Sequence, residues 1–294
     1  MDPSTFVLGD PISGTQYASF SHALPLKPDP VELCGKFIRL VPFDESTHLL
    51  PLWRVLNGSP SLGHAAYDAD ALVWRYSVPA SVGIPGHGAE GVAVDDITSP
   101  TPTLVINGTV AVRRHNTESG ADPRLPLSVF TRHQRTRTDA VDGRMYVAML
   151  LDGTIVGQLS LMACRPQHLV VEIGYVAITP AFQGTPVTSE ATYLLLRHAF
   201  DLGFRRVEWK CDSNNARSRA AALRIGFTFE GVFRRHMVMA GLGIVPRNRD
   251  TWWASVVDEE WPRVRQKLED WLGGPQPVEL FNRRSLQLAV AQSA

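Results

Sequence analysis

The chain of 294 residues carries 29 basic against 29 acidic side chains, with 44% hydrophobic and 20% charged residues. A net charge of zero argues against nucleic acid or an acidic membrane as the main partner, because such surfaces are bound through clustered excess positive charge. The length allows one decorated domain or two modest ones, with core enough to fold without disulfide staples.

Three cysteines, Cys34, Cys164 and Cys211, lack CxxC spacing and predict reduced thiols. No apolar run reaches the roughly 18 residues of a membrane helix. The ends carry neither a secretory signal nor a lipidation motif, so a soluble cytoplasmic protein is the expectation.

In chain order, residues 1–34 mix Pro, Ser and Gly without a period and predict a loosely ordered arm. Phe37 to Val41 alternates as a strand, and Pro51 to Leu56, closed by Gly58, predicts a helix with proline in its first turn. Residues 79–130 predict an insertion with one strand near Thr103 to Val112, and the cluster Arg132 to Arg137 a solvated connection. Met145 to Leu151 and Thr154 to Met162 flank Asp152-Gly153, a hairpin signature. Leu169 to Ile178 predicts a third strand, Thr188 to Leu202 a helix stopped by Gly203, and Arg206 to Cys211 a parallel strand. A helix from Asn215 to Ile225 ends at Gly226, two strands follow (Phe229 to Met239, Thr251 to Val257), and Trp261, Val264, Leu268 and Trp271 stripe a last helix. A tail covers residues 273–294.

The chemically informative segment is Gln183-Gly184-Thr185-Pro186-Val187-Thr188-Ser189-Glu190, between a buried strand and a helix. A loop ending on a helix N-terminus offers unpaired N–H groups and the positive end of the dipole, a cradle for a diphosphate; taken alone it reads first as a plain strand-to-helix turn. Around it stand a hairpin, the strand Glu172-Ile173-Gly174-Tyr175, a parallel strand, and Asn215-Ala216-Arg217-Ser218 leading to Gly226-Phe227. This order of motifs resembles the GNAT acyl-CoA N-acyltransferases, above all the RimJ/RimL-like branch of ribosomal-protein N-terminal acetyltransferases. The resemblance spans about Gly35 to Leu272 apart from the insertion.

The resemblance implies an α/β (α+β) fold: a mixed, twisted, mainly antiparallel sheet with a splayed parallel pair, flanked by helices. It implies acetyl-CoA as acyl donor, with backbone groups at Val176, Ala177 and Ile178 pairing the pantetheine arm. Gln183, Gly184, Thr185, Val187, Thr188 and Ser189 would hold the diphosphate. Glu172 would act as general base, Ser218 would meet the sulfur, and Asn215 would touch the cofactor or cap its helix. A solvated strand glutamate, or one partnering a nearby arginine, is the rival reading of Glu172.

Two positions depart from the family. Its loop reads Q/R-x-x-G-x-G/A, whereas here Pro186 replaces the middle glycine and Thr188 a small residue. Proline lacks an N–H, and one lost bond to a charged group costs roughly 1.5–3 kcal/mol, about tenfold to a hundredfold in affinity. The hydroxyls of Thr185, Thr188 and Ser189 offer replacement donors. Ala222 occupies the place where many members carry an acid tyrosine.

Trp252, Trp253, Trp261 and Trp271 read as packing residues and His198 as structural, and no histidine spacing predicts a metal. Arg234-Arg235-His236 borders the presumed acceptor groove or forms a solvated face. The sequence therefore predicts direct acetyl transfer to an amine, either a protein N-terminus or a small molecule. The alternative is a weak or inactive acyl-CoA-binding module.

Overall fold

A computed structural model of the chain describes residues 24–58, 73, 74, 76, 92–95, 103–106, 109–111, 127–241 and 244–274. Its elements are β1 (Leu33–Cys34), β2 (Ile38–Pro42), α1 (Glu45–Leu56), β3 (Val92–Asp95), β4 (Thr103–Ile106), β5 (Thr109–Ala111), α2 (Leu127–Thr138), β6 (Arg144–Leu150), β7 (Ile155–Arg165) and β8 (Val170–Ile178). There follow α3 (Pro186–Leu202), β9 (Arg206–Asp212), α4 (Ala216–Ile225), β10 (Thr228–Gly241), β11 (Ile244–Val257) and α5 (Trp261–Gly273). The main sheet has eight strands in the order β1-β2-β6-β7-β8-β9-β11-β10. All its pairs are antiparallel except β8 with β9. The mixed sheet with one parallel pair and flanking helices is the architecture expected from the sequence.

The Asp152-Gly153 turn closes the β6–β7 hairpin. Gly153 has φ 93°, open to glycine without a side-chain clash, and Asp152 Oδ1 accepts from Thr154 N at 2.9 Å. Two cores lie on opposite faces of the sheet. Ile38, Leu159, Leu161, Val171, Ile173, Val207 and Trp209 pack with α3, α4 and α5. Met145, Val147 and Ala177 pack with Leu52, Val55 and Leu56 of α1 and Val129 and Phe130 of α2.

Glu190 fastens α3 to the opening strands. Its carboxylate accepts from the backbone N–H of Lys36 (2.5 Å), Phe37 (2.8 Å) and Ile38 (2.9 Å). A Cβ on Gly35 would meet that carboxylate at 2.5 Å, so glycine is required for the close approach.

Four expectations change. Helix α1 starts six residues before Pro51, because Asp44 Oδ1 caps it by accepting from Thr47 N at 3.0 Å; Pro51 is interior, at the cost of one helical bond. The cluster Arg132 to Arg137 is no solvated connection but part of α2: His133, Gln134 and Arg137 are buried beside Val129 and Phe130 at helical spacing. Polarity hid that stripe. Leu272, not Trp271, completes the apolar face of α5, and Trp271 is 43% exposed. The strand near Thr103 to Val112 is two strands, and β3 joins them in a separate three-stranded sheet.

The arm expected over 1–34 is described only from residue 24, where Leu24 packs on the core and Lys27 Nζ donates to Thr138 O (2.6 Å) and Ala140 O (2.9 Å). The first part of that arm, most of the insertion and the tail beyond residue 274 lie outside the described residues.

Candidate active site

Strands β8 and β9 pair only at Val170↔Arg206, Val171↔Val207 and Glu172↔Glu208. Beyond Glu172 they part: β8 runs on to Ile178 and β9 to Asp212 without a bridge between them. On its other edge β8 stays paired with β7, but two residues of β8, Tyr175 and Val176, oppose one of β7, Leu159, between Ser160↔Gly174 and Gln158↔Ala177. This bulge sits at Tyr175, whose φ of 52° is left-handed, in the stretch of β8 that no longer pairs with β9. The main-chain edge of β8 at Val176, Ala177 and Ile178 thus borders a wedge. Ala177 packs toward α1 and α2, and Val176 against the opposite core.

The loop after β8 is built around the helix start. Gln183 Nε2 donates to Ile178 O at 2.9 Å and ties the loop to the strand end. Gly184 has φ 73° and nothing within 4 Å of where a Cβ would stand. Thr185 caps α3, with Oγ1 donating to Phe182 O at 2.6 Å and accepting from Val187 N at 3.4 Å. That hydroxyl is therefore spent inside the protein. Pro186 takes the first helical position, where an N–H has no helical partner anyway, and Val187 is fully buried. Thr188 is half-buried and Ser189 buried on the first turn.

Glu172 lies on the sheet face shared with Met162, Gly174, Glu208 and Lys210. Its Oε2 accepts from Lys210 Nζ at 2.7 Å, and Oε1 comes within 3.4 Å of the position a Gly174 Cβ would take. Burial raises its carboxyl above the ordinary value, and the Lys210 ammonium pulls the other way. Lys210 also meets Glu208 Oε2 at 2.9 Å and lies 4.1 Å from the ring centre of Trp253. Burial raises the Glu208 carboxyl too, but Lys210, Arg206 and Arg165 outweigh it and hold it low. Two neighbouring carboxylates thus shift in opposite directions, Glu208 below the ordinary value and Glu172 above it.

On the opposite face, Asn215 caps α4 by accepting from Ser218 N at 3.1 Å, the ordinary capping role. Trp209 Nε1 donates to Ser218 Oγ at 3.0 Å, which leaves the hydroxyl's one proton for a single further acceptor. Burial pushes the Cys211 thiol up, and Ser218 donates toward it. Ala222 is fully buried, so no acid stands at that place.

Arg234 and Arg235 line an open cleft of about 770 Å³ with Asn214, Asn248 and Asp250. The four tryptophans divide. Trp252 is buried, its ring 5.3 Å from Phe229, and Trp261 lies 4.9 Å from Phe200. Trp253 floors the Lys210 site rather than a core. Lys210, Glu208, Trp209 and Arg137 escaped the sequence reading. The alternation of Glu208 and Lys210 with buried Val207 and Trp209 was the available signal.

Residues 102–228 match the Acetyltransferase (GNAT) domain family. The ribosomal-protein-serine acetyltransferase of Escherichia coli is 31% identical over 96 residues, 31% of this chain and 53% of that protein. YdaF of Bacillus subtilis, which bears the name of a ribosomal N-acetyltransferase, is 32% identical over 114 residues, 38% of this chain and 59% of that protein. The matches thus span little more than half of these relatives. A GCN5-related N-acetyltransferase from Brucella melitensis superposes with a TM-score of 0.60 at 26% identity, over 88% of this chain and 96% of that one. Splayed strands, capped loop and these likenesses agree: residues 102–228 carry an acetyltransferase domain of the GNAT type, and the curated relatives that match part of the chain bear the names of ribosomal-protein acetyltransferases.

Proposed function

We propose that the chain is an acetyl-CoA-dependent N-acetyltransferase, acting in the cytoplasm by direct transfer to an amine, a protein N-terminus or a small molecule, in a ternary complex. The observation that carries this reading is the parting of β8 and β9 after Glu172. An unpaired strand edge leading to a helix N-terminus suits a ligand with an amide-bearing arm and an anionic head.

The residues present fit that ligand. The β8 edge at Val176 and Ala177 takes the arm, while the Ile178 carbonyl is already engaged by Gln183. The amides of Gly184, Thr185, Thr188 and Ser189 would meet the diphosphate, Pro186 contributing none and the Val187 N–H being engaged by the Thr185 hydroxyl. When bound, acetyl-CoA supplies an acyl carbon activated by a thioester. Glu172 takes a proton from the amine through Oε1, directly or across one water, while Oε2 stays on Lys210. The nitrogen then bonds to the acyl carbon and the C–S bond breaks. Ser218, oriented by Trp209, turns its proton from Cys211 to the departing sulfur, which leaves readily as a thiolate of pKa about 8.5.

The test is release of free thiol from acetyl-CoA over a panel of peptides and small amines, with Glu172→Gln and Ser218→Ala alongside. The second reading, a binding module without turnover, is favoured by Pro186 and Ala222. It prevails if acetyl-CoA raises the melting temperature and no amine releases thiol.

A further inference from the structure

Between α2 and the strands β7 and β8 lies a group of buried polar side chains that the reaction proposed above leaves unused. Arg137 is 7% exposed, and its guanidinium sits 3.5 Å from the centre of the Tyr175 ring. No carboxylate among the described residues pairs with it, and its Nε and Nη1 are buried without a hydrogen-bond partner. Burial pushes its pKa down to about 9, still charged at neutral pH.

The neighbours repeat the pattern. Gln134 Nε2 donates to Gln158 Oε1 at 2.8 Å, leaving Gln158 Nε2 without an acceptor; Ser160 Oγ and His133 Nε2 are also buried without partners. Burial holds His133 well below its ordinary pKa, so its ring is neutral. The unpaired guanidinium and amide N–H groups there outnumber the unpaired amide oxygen of Gln134, and an uncompensated buried cation is costly without an anion.

The site stands beside Glu172. Gln158 and Ser160 share its sheet face through the pairs Gln158↔Ala177, Ser160↔Gly174 and Met162↔Glu172, and Glu172 Oε1 leans toward Gly174. Tyr175, under Arg137, is three residues along β8, about 7–10 Å at strand rise. An acceptor whose amine meets Glu172 reaches Arg137 with a group several bonds away.

We infer that Arg137, with Gln158 and Ser160, forms a carboxylate subsite, so that the preferred acceptor is an amine that also carries a carboxylate. This rests on the acetyl-transfer reading and names its substrate class.

The test compares matched acceptors: Ala-Glu-Ala-amide with Ala-Gln-Ala-amide for a side-chain carboxylate, and alanine with alaninamide for an α-carboxylate. Thiol release from acetyl-CoA should favour the acidic member of at least one pair by tenfold or more in kcat/KM. Arg137→Gln should erase the preference by slowing the acidic member alone, and Gln158→Met should weaken it if Arg137→Gln does not fold. Calorimetric titration with N-acetyl-Ala-Glu-Ala-amide and its Gln counterpart reads the subsite without turnover. Tighter binding of the Glu product, lost in Arg137→Gln, upholds the subsite even if no amine is acetylated, in which case only the transfer reading falls. Equal rates within both pairs, or, where no amine is acetylated, equal binding or none of the two products in the wild type, overturns it.

Discussion

Glu172 and Lys210 face each other across the last bridge of the parallel pair, Oε2 2.7 Å from Nζ, while Oε1 is turned to the bulged stretch of β8. Burial makes this carboxylate more basic and Lys210 makes it less so. A base must be ionised to work, so activity should fall on the acid side as pH drops through a value above the ordinary carboxylate pKa. Lys210→Met removes the downward pull and should move that limb to higher pH. Glu172→Gln should abolish the limb and lower kcat by about 10²–10⁴-fold, as read in a pH–rate profile. The fold should survive, because Lys210 keeps Glu208 at 2.9 Å.

Ser218 has a donor fixed on its oxygen by Trp209. Its role toward a departing sulfur predicts that Ser218→Ala lowers kcat by about tenfold, one hydrogen bond's worth, with KM for acetyl-CoA little changed. Trp209→Phe should reproduce part of that loss. Steady-state kinetics on both variants separates this from a packing defect, which would lower the melting temperature as well.

Pro186 tests the loop. Pro186→Ala adds one N–H at the first position of α3 and should tighten coenzyme A by about tenfold in calorimetry. Gly184→Ala adds a side chain into open space but at φ 73°, and should cost about 1 kcal/mol of stability.

Glu190→Ala should be a stability variant rather than an activity variant. It strands three backbone donors, on Lys36, Phe37 and Ile38. An expected loss of roughly 3 kcal/mol or more is measurable by urea unfolding.

Where apolar periodicity or a turn signal set an element, the sequence carried it openly: the Asp152-Gly153 hairpin, the Gly203 and Gly226 helix stops, and the parallel strand before Asn215 all stand where they were read. What stayed hidden depended on pairing across the sheet. Helix α2 faces the sheet with His133, Gln134 and Arg137, which composition reads as solvated. Nothing local in Lys210 announces that β9 will set it against Glu172. The Asp44 cap outweighed Pro51, whose usual place is a first turn.

The extra residue at Tyr175 has one more implication. Gly174 before it and Ala177 after it face the same layer, opposite Ser160 and Gln158. A chain one residue shorter at this point would keep Gly174 and Ala177 opposite those partners, but would lose the bulge together with one side chain, the Tyr175 ring under Arg137 or Val176 against the core. The extra residue thus serves two ends, the shape of the strand and a side chain placed beside the wedge.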